Sequence, residues 1–235
     1  MIKIDEVETY GWQAAIRGMR NPKSSWDKSD TTQCCGCDKD CASINNKLCV
    51  GNADLKLMET LGAAGTDHGK YLRMITVTAD ITAPLYWWKE YDTYKVGTVA
   101  NSCSTMHKIQ AKEFVLSDFS TEHLSVTNLI VFSMVIDAMN NARLDFLQRK
   151  DKKDWWQMIQ MLPTCYNQKR TVQLNYAVLK NMYHSRQNHK LDEWREFCKW
   201  VETLPYSQLI DVYKRQFTHQ VLRALILSRR NLWIY

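Results

Sequence analysis

A chain of 235 residues, 45% hydrophobic and 24% charged, can bury one substantial core and suits a single domain with a small appendage. With 8 glycines, 4 prolines and no apolar run near the ~18–20 residues of a membrane-spanning helix, it is neither collagen-like, linker-rich nor helically membrane-embedded. Its net charge of +6 favours anionic partners such as nucleotides, yet it is too small for a DNA-coating protein, so nucleic acid is not an expected partner.

The opening MIKIDEVETYGW lacks the basic-then-apolar order of a secretory signal, and a cytoplasmic location is expected. In that compartment the 8 cysteines are thiols or metal ligands rather than disulfides. Alternation in MIKIDEVETY predicts a first strand, and GWQAAIRGMR a short helix. From Asn21 to Gly51 the chain is polar, cysteine-rich and aperiodic, as an inserted loop would be. Leu55, Met58 and Leu61 give the next segment helical spacing, with a stop at Gly65. YLRMITVTADI, alternating and rich in β-branched residues, predicts the best strand of the chain.

Pro84 opens an aromatic helix, PLYWWKEYDTYK. LIVFSMVIDAMNNARLDFLQR and DWWQMIQMLP predict two further helices, the second stopped by Pro163. TVQLNYAVLKNMYHSRQ and LDEWREFCKWVETLP read as two more, each amphipathic at helical spacing. The pairs Trp87/Trp88 and Trp155/Trp156 are expected in the core rather than as base-stacking platforms. Many helices around one central sheet predict an α/β (α+β) domain over residues 1–210, with a Cys-rich insert at about 30–50. Residues 211–235, basic and apolar with a single acid, form a tail outside that domain.

Within the insert, Cys34 and Cys37 have the C-x-x-C spacing that brings two thiolates to one tetrahedral zinc, and Cys41 and Cys49 complete a four-sulfur set with Cys35 spare. Such a zinc is structural: a loop without an apolar core takes its order from the metal. Free thiols are the alternative reading. Neither Cys103 nor Cys165 has a His–acid pattern that would make it a nucleophile.

The stretch YKVGTVANSCSTMHK, Tyr94 to Lys108, has the small polar residues, glycine and lysine of a nucleotide-site loop but few of its charges. A binding loop and a plain turn are both open readings. From Gly65 onward, however, the order of features resembles the flavin-dependent thymidylate synthases (ThyX). That family carries the signature R-H-R-x-x-S-x-N-E-x-S-x-R-Y, which counted without gaps from Ile81 falls on Tyr94 to His107, where Asn101 and Ser104 match. After Leu162-Pro163 the family places two asparagines and an arginine, then Glu-Ile-Arg; here stand Asn175, Asn181, Arg186 and Glu193-Trp194-Arg195. Asn175, Asn181 and Arg186 are expected within one helical arc facing one pocket.

The resemblance implies the fold, an oligomer (most simply a homotetramer) and a nucleotide site. It gives Ser104 and Arg186 a phosphate role, with Asn101, Ser102 and Lys95 beside them, and Asn175 and Asn181 a flavin (FAD) or second-nucleotide role. It also brings the family's reaction: methylation of dUMP with methylene-tetrahydrofolate and NADPH. The departures argue against that reaction. The R-H-R triplet is Tyr94-Lys95-Val96, the signature glutamate is Ser102, and family arginines are replaced by Met106, Ile159 and Ala177. Lys95, Lys169 and Arg170 are the cations available to compensate, and His68 is the candidate substitute for a histidine-rich loop. Each lost charge-assisted hydrogen bond is worth about 1.5–3 kcal/mol. The balance predicts a nucleotide-binding protein that holds or sequesters its ligand, for instance a signalling nucleotide in a phage–host setting. A divergent FAD-dependent synthase is the alternative, and a zinc-bearing nucleic-acid module a third.

Overall fold

A computed structural model describes residues 1–34 and 48–210. The elements in chain order are β1 (Lys3–Tyr10), α1 (Trp12–Arg20), β2 (Thr32–Gln33), β3 (Leu48–Cys49), α2 (Asn52–Ala63), β4 (Thr76–Pro84), α3 (Leu85–Tyr91), β5 (Val99–Ser102), α4 (Val126–Arg149), α5 (Lys152–Met161), β6 (Asn167–Asn175), α6 (Tyr176–Arg186) and α7 (Asp192–Glu202). A four-stranded sheet has the order β1-β4-β6-β5, and β2 pairs with β3 in a separate two-stranded ribbon. The class is the mixed α/β one that the sequence predicts. Among the described residues no helix is long and apolar enough to cross a membrane. The tail, 211–235, lies outside the described residues.

The described residues form two compact units: 1–7, 79–173 and 191–193 in the first, and 8–34, 48–78, 174–190 and 194–210 in the second. In the first, Trp87, Trp88 and Tyr91 of α3 are buried, and the Trp88 indole N–H donates to Gln168 O at 2.9 Å. A second cluster, Phe114, Phe119, Ile136, Met139 and Met158, closes the space between α4 and α5. Helix α4 turns Ile136, Met139 and Ala142 inward but leaves Val126 at 77%, Ile130 at 60% and Met134 at 65% exposure. Its N-terminal half is thus apolar on the outward side as well, which a solitary surface helix avoids.

In the second unit, Trp12, Ile16 and Met19 of α1 are buried, as are Met58 of α2, Leu179 and Met182 of α6, and Trp194 and Phe197 of α7. One polar node is as deeply placed. Asp54 of α2 has no exposed side-chain surface and Arg20 only 5%, with Nε donating to the carboxylate at 2.7 Å. The same carboxylate accepts from the hydroxyls of Ser29 and Thr31 and from the amides of Asp30 and Thr31. Asp30 reciprocates by accepting from the amides of Ala53 and Asp54, first-turn donors of α2 that Gly51 has no side chain to cap. Gly51 is required by this clasp: a Cβ there would stand 2.1 Å from Asp30 Cγ. Gly11, at φ 84°, lets the chain turn from β1 into α1, and a Cβ on it would lie 1.9 Å from Met74 O.

Three segments differ from the sequence expectation. The strand expected from Tyr71 starts at Thr76, because residues Gly69–Arg73 make a 3-10 turn. The segment expected as one helix from Thr171 onward is strand to Asn175 and helix after it. Val172 and Leu174 are buried while Thr171 and Gln173 are exposed, a two-residue alternation that the sheet register captures. Pro84 precedes α3 in extended conformation rather than entering the helix.

Candidate functional site

The second unit contains a cavity of about 840 Å³. The end of α1 and the turn after it supply Met19, Asn21, Lys23 and Ser25; α2 supplies Leu57, Thr60 and Leu61; the segment before β4 supplies Asp67, His68, Lys70, Tyr71 and Met74. The walls are mainly apolar. The Tyr71 hydroxyl is committed to the fold, donating to Met58 O at 2.6 Å. Lys23 and Lys70 have no carboxylate partner among the described residues, and their charges remain available to an anion. Size, apolar walls and a few convergent polar groups are the attributes of a small-molecule site. Of these residues sequence reasoning singled out His68 alone. Lys23, Lys70 and Met74 carry no local motif, because the cavity joins three segments that are separate in the chain.

The first unit holds the signature-like stretch. It is a turn, an edge strand and a second turn. Lys95 lies exposed in the first turn, where Thr98 Oγ1 donates to Tyr94 O at 2.5 Å. Asn101 and Ser102 sit on β5, paired antiparallel with Thr171 and Arg170 of β6, and are exposed. Ser104 shapes the second turn: its Oγ accepts the amides of Met106 and His107 at 3.1 and 2.9 Å and lies 2.9 Å from His107 Nδ1. The Trp155 indole N–H pins this turn to α5 by donating to Met106 O at 3.1 Å. The stretch therefore presents side chains from a strand edge rather than wrapping an anion in backbone amides.

Two of the three candidate compensating cations, Lys169 and Arg170, are committed within the same unit. Lys169 bridges to Asp80 at 2.7 Å, and Asp80 is held below the usual carboxylate range by that ammonium and by the Thr171 hydroxyl. Arg170 bonds Asp92 at 2.8 Å while lying 4.2 Å from the Trp88 ring centre.

In the second unit, Asn175, Asn181 and Arg186 do not share a helical arc. Asn175 precedes α6 as its N-cap, with its side-chain oxygen accepting Val178 N–H at 3.0 Å. Asn181 is exposed on the helix between turns that bury Leu179 and Met182. Arg186 ends α6, its guanidinium 4.9 Å from the Trp194 ring centre.

Cys37 and Cys41, with Cys35, lie outside the described residues. Cys34 and Cys49 are described: Cys34 follows β2, and Cys49 on β3 is paired with Thr32. Among the described residues no three metal-ligating side chains come together. Burial pushes the Cys198 thiol up to about 12, assisted by Glu202, and raises Cys165 as well, so neither supplies a thiolate nucleophile.

No family model matches this sequence, and no curated protein matches it. Its structure is similar to that of thymidylate synthase X (ThyX) from Helicobacter pylori, solved with FAD and dUMP, at a TM-score of 0.62 and 18% identity over 89% of this chain and 96% of that one. A second structure of the H. pylori flavin-dependent enzyme, also complexed with FAD and dUMP, gives a TM-score of 0.61 at 18% identity, covering 87% and 97%. The chain has the fold of these synthases.

Proposed function

We propose that this chain binds a nucleotide on a ThyX-like scaffold and holds it without turnover. The observation that carries the reading is the cavity lined by His68, Lys23 and Lys70, in a fold whose H. pylori representatives bind FAD and dUMP. The reading without turnover is supported by the replaced cations: Met106, Ile159 and Ala177 offer a phosphate no charge, while Lys169 and Arg170 are tied to Asp80 and Asp92. In the second unit the resemblance assigns the phosphate to Arg186, which lies outside the cavity lining, and a second nucleotide moiety to Asn175 and Asn181; in the first unit it assigns polar contacts to Ser104, Asn101, Ser102 and Lys95. An arginine offers phosphate a bidentate fork, and Lys95 only a point charge.

Calorimetry with mono-, di- and cyclic nucleotides tests this. Arg186→Ala is expected to weaken binding about tenfold or more, matching ~1.5–3 kcal/mol for a charged hydrogen bond, and Lys95→Ala less. A thermal melt of each variant separates lost binding from the lost Arg186–Trp194 contact. No binding by any nucleotide, or full binding by Arg186→Ala, would refute the assignment.

The second reading, a divergent FAD-dependent synthase acting on dUMP with methylene-tetrahydrofolate and NADPH, is favoured by the size of the same cavity. Lys23 and Lys70 suit a pyrophosphate, and the Tyr71 and Met74 side chains suit a ring system. Bound flavin would supply the hydride, and the residues of this chain would bind and orient. Absorbance in the flavin bands after incubation with FAD decides between the readings: a yellow protein favours the enzyme, a colourless one that binds nucleotides the holder.

Two further features complete the proposal. The insert carries a structural zinc on Cys34, Cys37, Cys41 and Cys49, supported by the C-x-x-C spacing and by the β2–β3 ribbon at its base. Elemental analysis is expected to find about one zinc per chain, with the metal lost in Cys37→Ser and nucleotide binding retained. Metal-free protein under reducing conditions would exclude it. The protein is also a cytoplasmic homo-oligomer, most simply a tetramer, supported by the outward apolar side of α4.

A further inference from the structure

Helix α1 carries Gln13, Arg17 and Arg20 at the spacing i, i+4 and i+7, which places them on one face. In the second unit that face closes one side of a pocket of about 260 Å³, with Trp26, Thr32 and Gln33 across from it. The buried side chains of Ile16 and Leu48 add apolar lining. Every lining residue precedes Gly65, where the resemblance to the synthases begins, so the pocket belongs to a part of the chain that the resemblance leaves unassigned.

The pocket has spare hydrogen-bond donors. Arg17 is exposed and has neither a carboxylate partner nor another acceptor among the described residues. Arg20 is only 5% exposed and has five N–H groups. Three of them donate, to Asp54 Oδ1 at 2.7 Å, Ser25 O at 3.1 Å and Lys28 O at 2.9 Å; the others have no acceptor among the described residues. A buried guanidinium with unused N–H groups beside an open pocket gains from an oxygen ligand placed there. Trp26 supplies a surface of a different kind. Its indole N–H donates to Asn21 Oδ1 at 2.8 Å, which fixes the ring, while the side chain stays 51% exposed and packs on no other ring among the described residues. A fixed, half-exposed indole next to a free arginine offers a flat apolar surface and an anion anchor together.

We infer that this pocket binds a small aryl monocarboxylate, with the carboxylate on Arg17 and the unused N–H groups of Arg20 and the ring against the Trp26 indole. Charge selects a monoanion. Asp54 already neutralises Arg20, so Arg17 leaves the pocket with one uncompensated positive charge, and among the described residues no carboxylate lines it. A phosphomonoester dianion would bring a second negative charge close to the Asp54 carboxylate. Asp30 is held by the amides of Ala53 and Asp54, and Asp27, next to Trp26, is outside the lining. Size selects a small molecule, because sites for drug-sized ligands span roughly 300–1,000 Å³. The inference is independent of the nucleotide reading: Arg17, Arg20 and Trp26 do not line the larger cavity.

The test is calorimetric titration of the full chain with benzoate, 1-naphthoate and indole-3-carboxylate. Benzamide supplies a ring without charge, acetate a charge without a ring, and phenyl phosphate a ring with a dianion. At least one aryl carboxylate is expected to bind, about tenfold or more tightly than benzamide or acetate, and to raise the melting temperature. Arg17→Gln and Trp26→Ala, both at exposed positions, should each weaken it about tenfold or more, with melting temperatures of the free variants showing that they fold. Arg17→Lys should lose less than Arg17→Gln, since it keeps the charge and gives up only the planar fork. Lys23→Ala/Lys70→Ala should leave carboxylate binding intact even if it abolishes nucleotide binding. No aryl carboxylate bound at millimolar concentration, or affinity unchanged in Arg17→Gln or in Trp26→Ala, overturns the assignment. Phenyl phosphate binding more tightly than every carboxylate, and lost in Arg17→Gln, overturns the monocarboxylate in favour of a phosphate site.

Discussion

Asp54→Ala is expected to destabilise the protein by about 3–5 kcal/mol, the range for breaking a buried ion pair by removing one partner. Arg20 would keep its charge at 5% exposure, and its remaining partners, the carbonyls of Ser25 and Lys28, carry no charge to compensate it. Replacing both Arg20 and Asp54 by apolar residues, which often rescues a buried pair, should not succeed here. The Asp54 carboxylate also accepts the amides of Asp30 and Thr31, and these would lose their acceptor. The acid limb of stability gives an independent readout. Burial raises the Asp54 pKa, but the hydrogen bonds from Ser29, Thr31 and Arg20 and the Arg20 charge outweigh it, holding the carboxyl below the usual range. A depressed carboxylate stabilises the fold above its unfolded pKa, and that stability is lost as pH falls through the folded value. Asp54→Asn should therefore lower the urea midpoint at neutral pH and flatten its acid dependence. An Asp54→Ala protein with the parent's urea midpoint would show that the node contributes nothing.

The second large effect is expected from Ile130→Glu/Met134→Lys on α4. The two positions are one helical turn apart and exposed, at 60% and 65%, so an added Glu–Lys pair supports the isolated helix and leaves the inward residues Ile136 and Met139 untouched. A stable interface needs roughly 800 Å² per partner with an apolar centre, which Val126, Ile130 and Met134 can seed. Light scattering should find the parent as an oligomer and the variant as a monomer. A monomeric parent, or a variant of unchanged mass, removes α4 as the contact surface.

Much of the fold could be read from local pattern. The helices α1, α2, α4, α5 and α7 and the strand β1 follow directly from periodicity and stop signals. The error at β6 was one of period. In TVQLNYAVLKNMY the buried residues Val172, Tyr176, Leu179 and Met182 satisfy a helical spacing if read as one run, although Leu174 breaks it. Asn175 was the missed boundary, a side-chain cap that marks where alternation by two gives way to spacing by three and four. The candidate sites were less legible for a different reason. Lys23 and Lys70 face one cavity from segments far apart in the chain, and Arg17 and Trp26 meet Gln33 only once α1 and the β2–β3 ribbon have folded. Spacing rules follow faces within an element and carry no information on such meetings. The resemblance directed attention to Ser104, whose hydroxyl shapes the turn that places His107.

The paired tryptophans of α3 also give the molecule an optical character. Trp87 and Trp88 are fully buried with ring centres 4.8 Å apart at 73°, and Tyr91 is a third ring within 5.3 Å of each. Indole transitions at that distance and inclination couple, and rigid chiral coupling produces a near-ultraviolet circular dichroism band out of proportion to two chromophores among 9 tryptophans. The Arg170 guanidinium, 4.2 Å from the Trp88 ring centre, adds a fixed charge that shifts one member of the pair relative to the other. The band is thus a native spectroscopic label for the packing of α3 against β6, and its loss would report local loosening there before the far-ultraviolet helix signal changed.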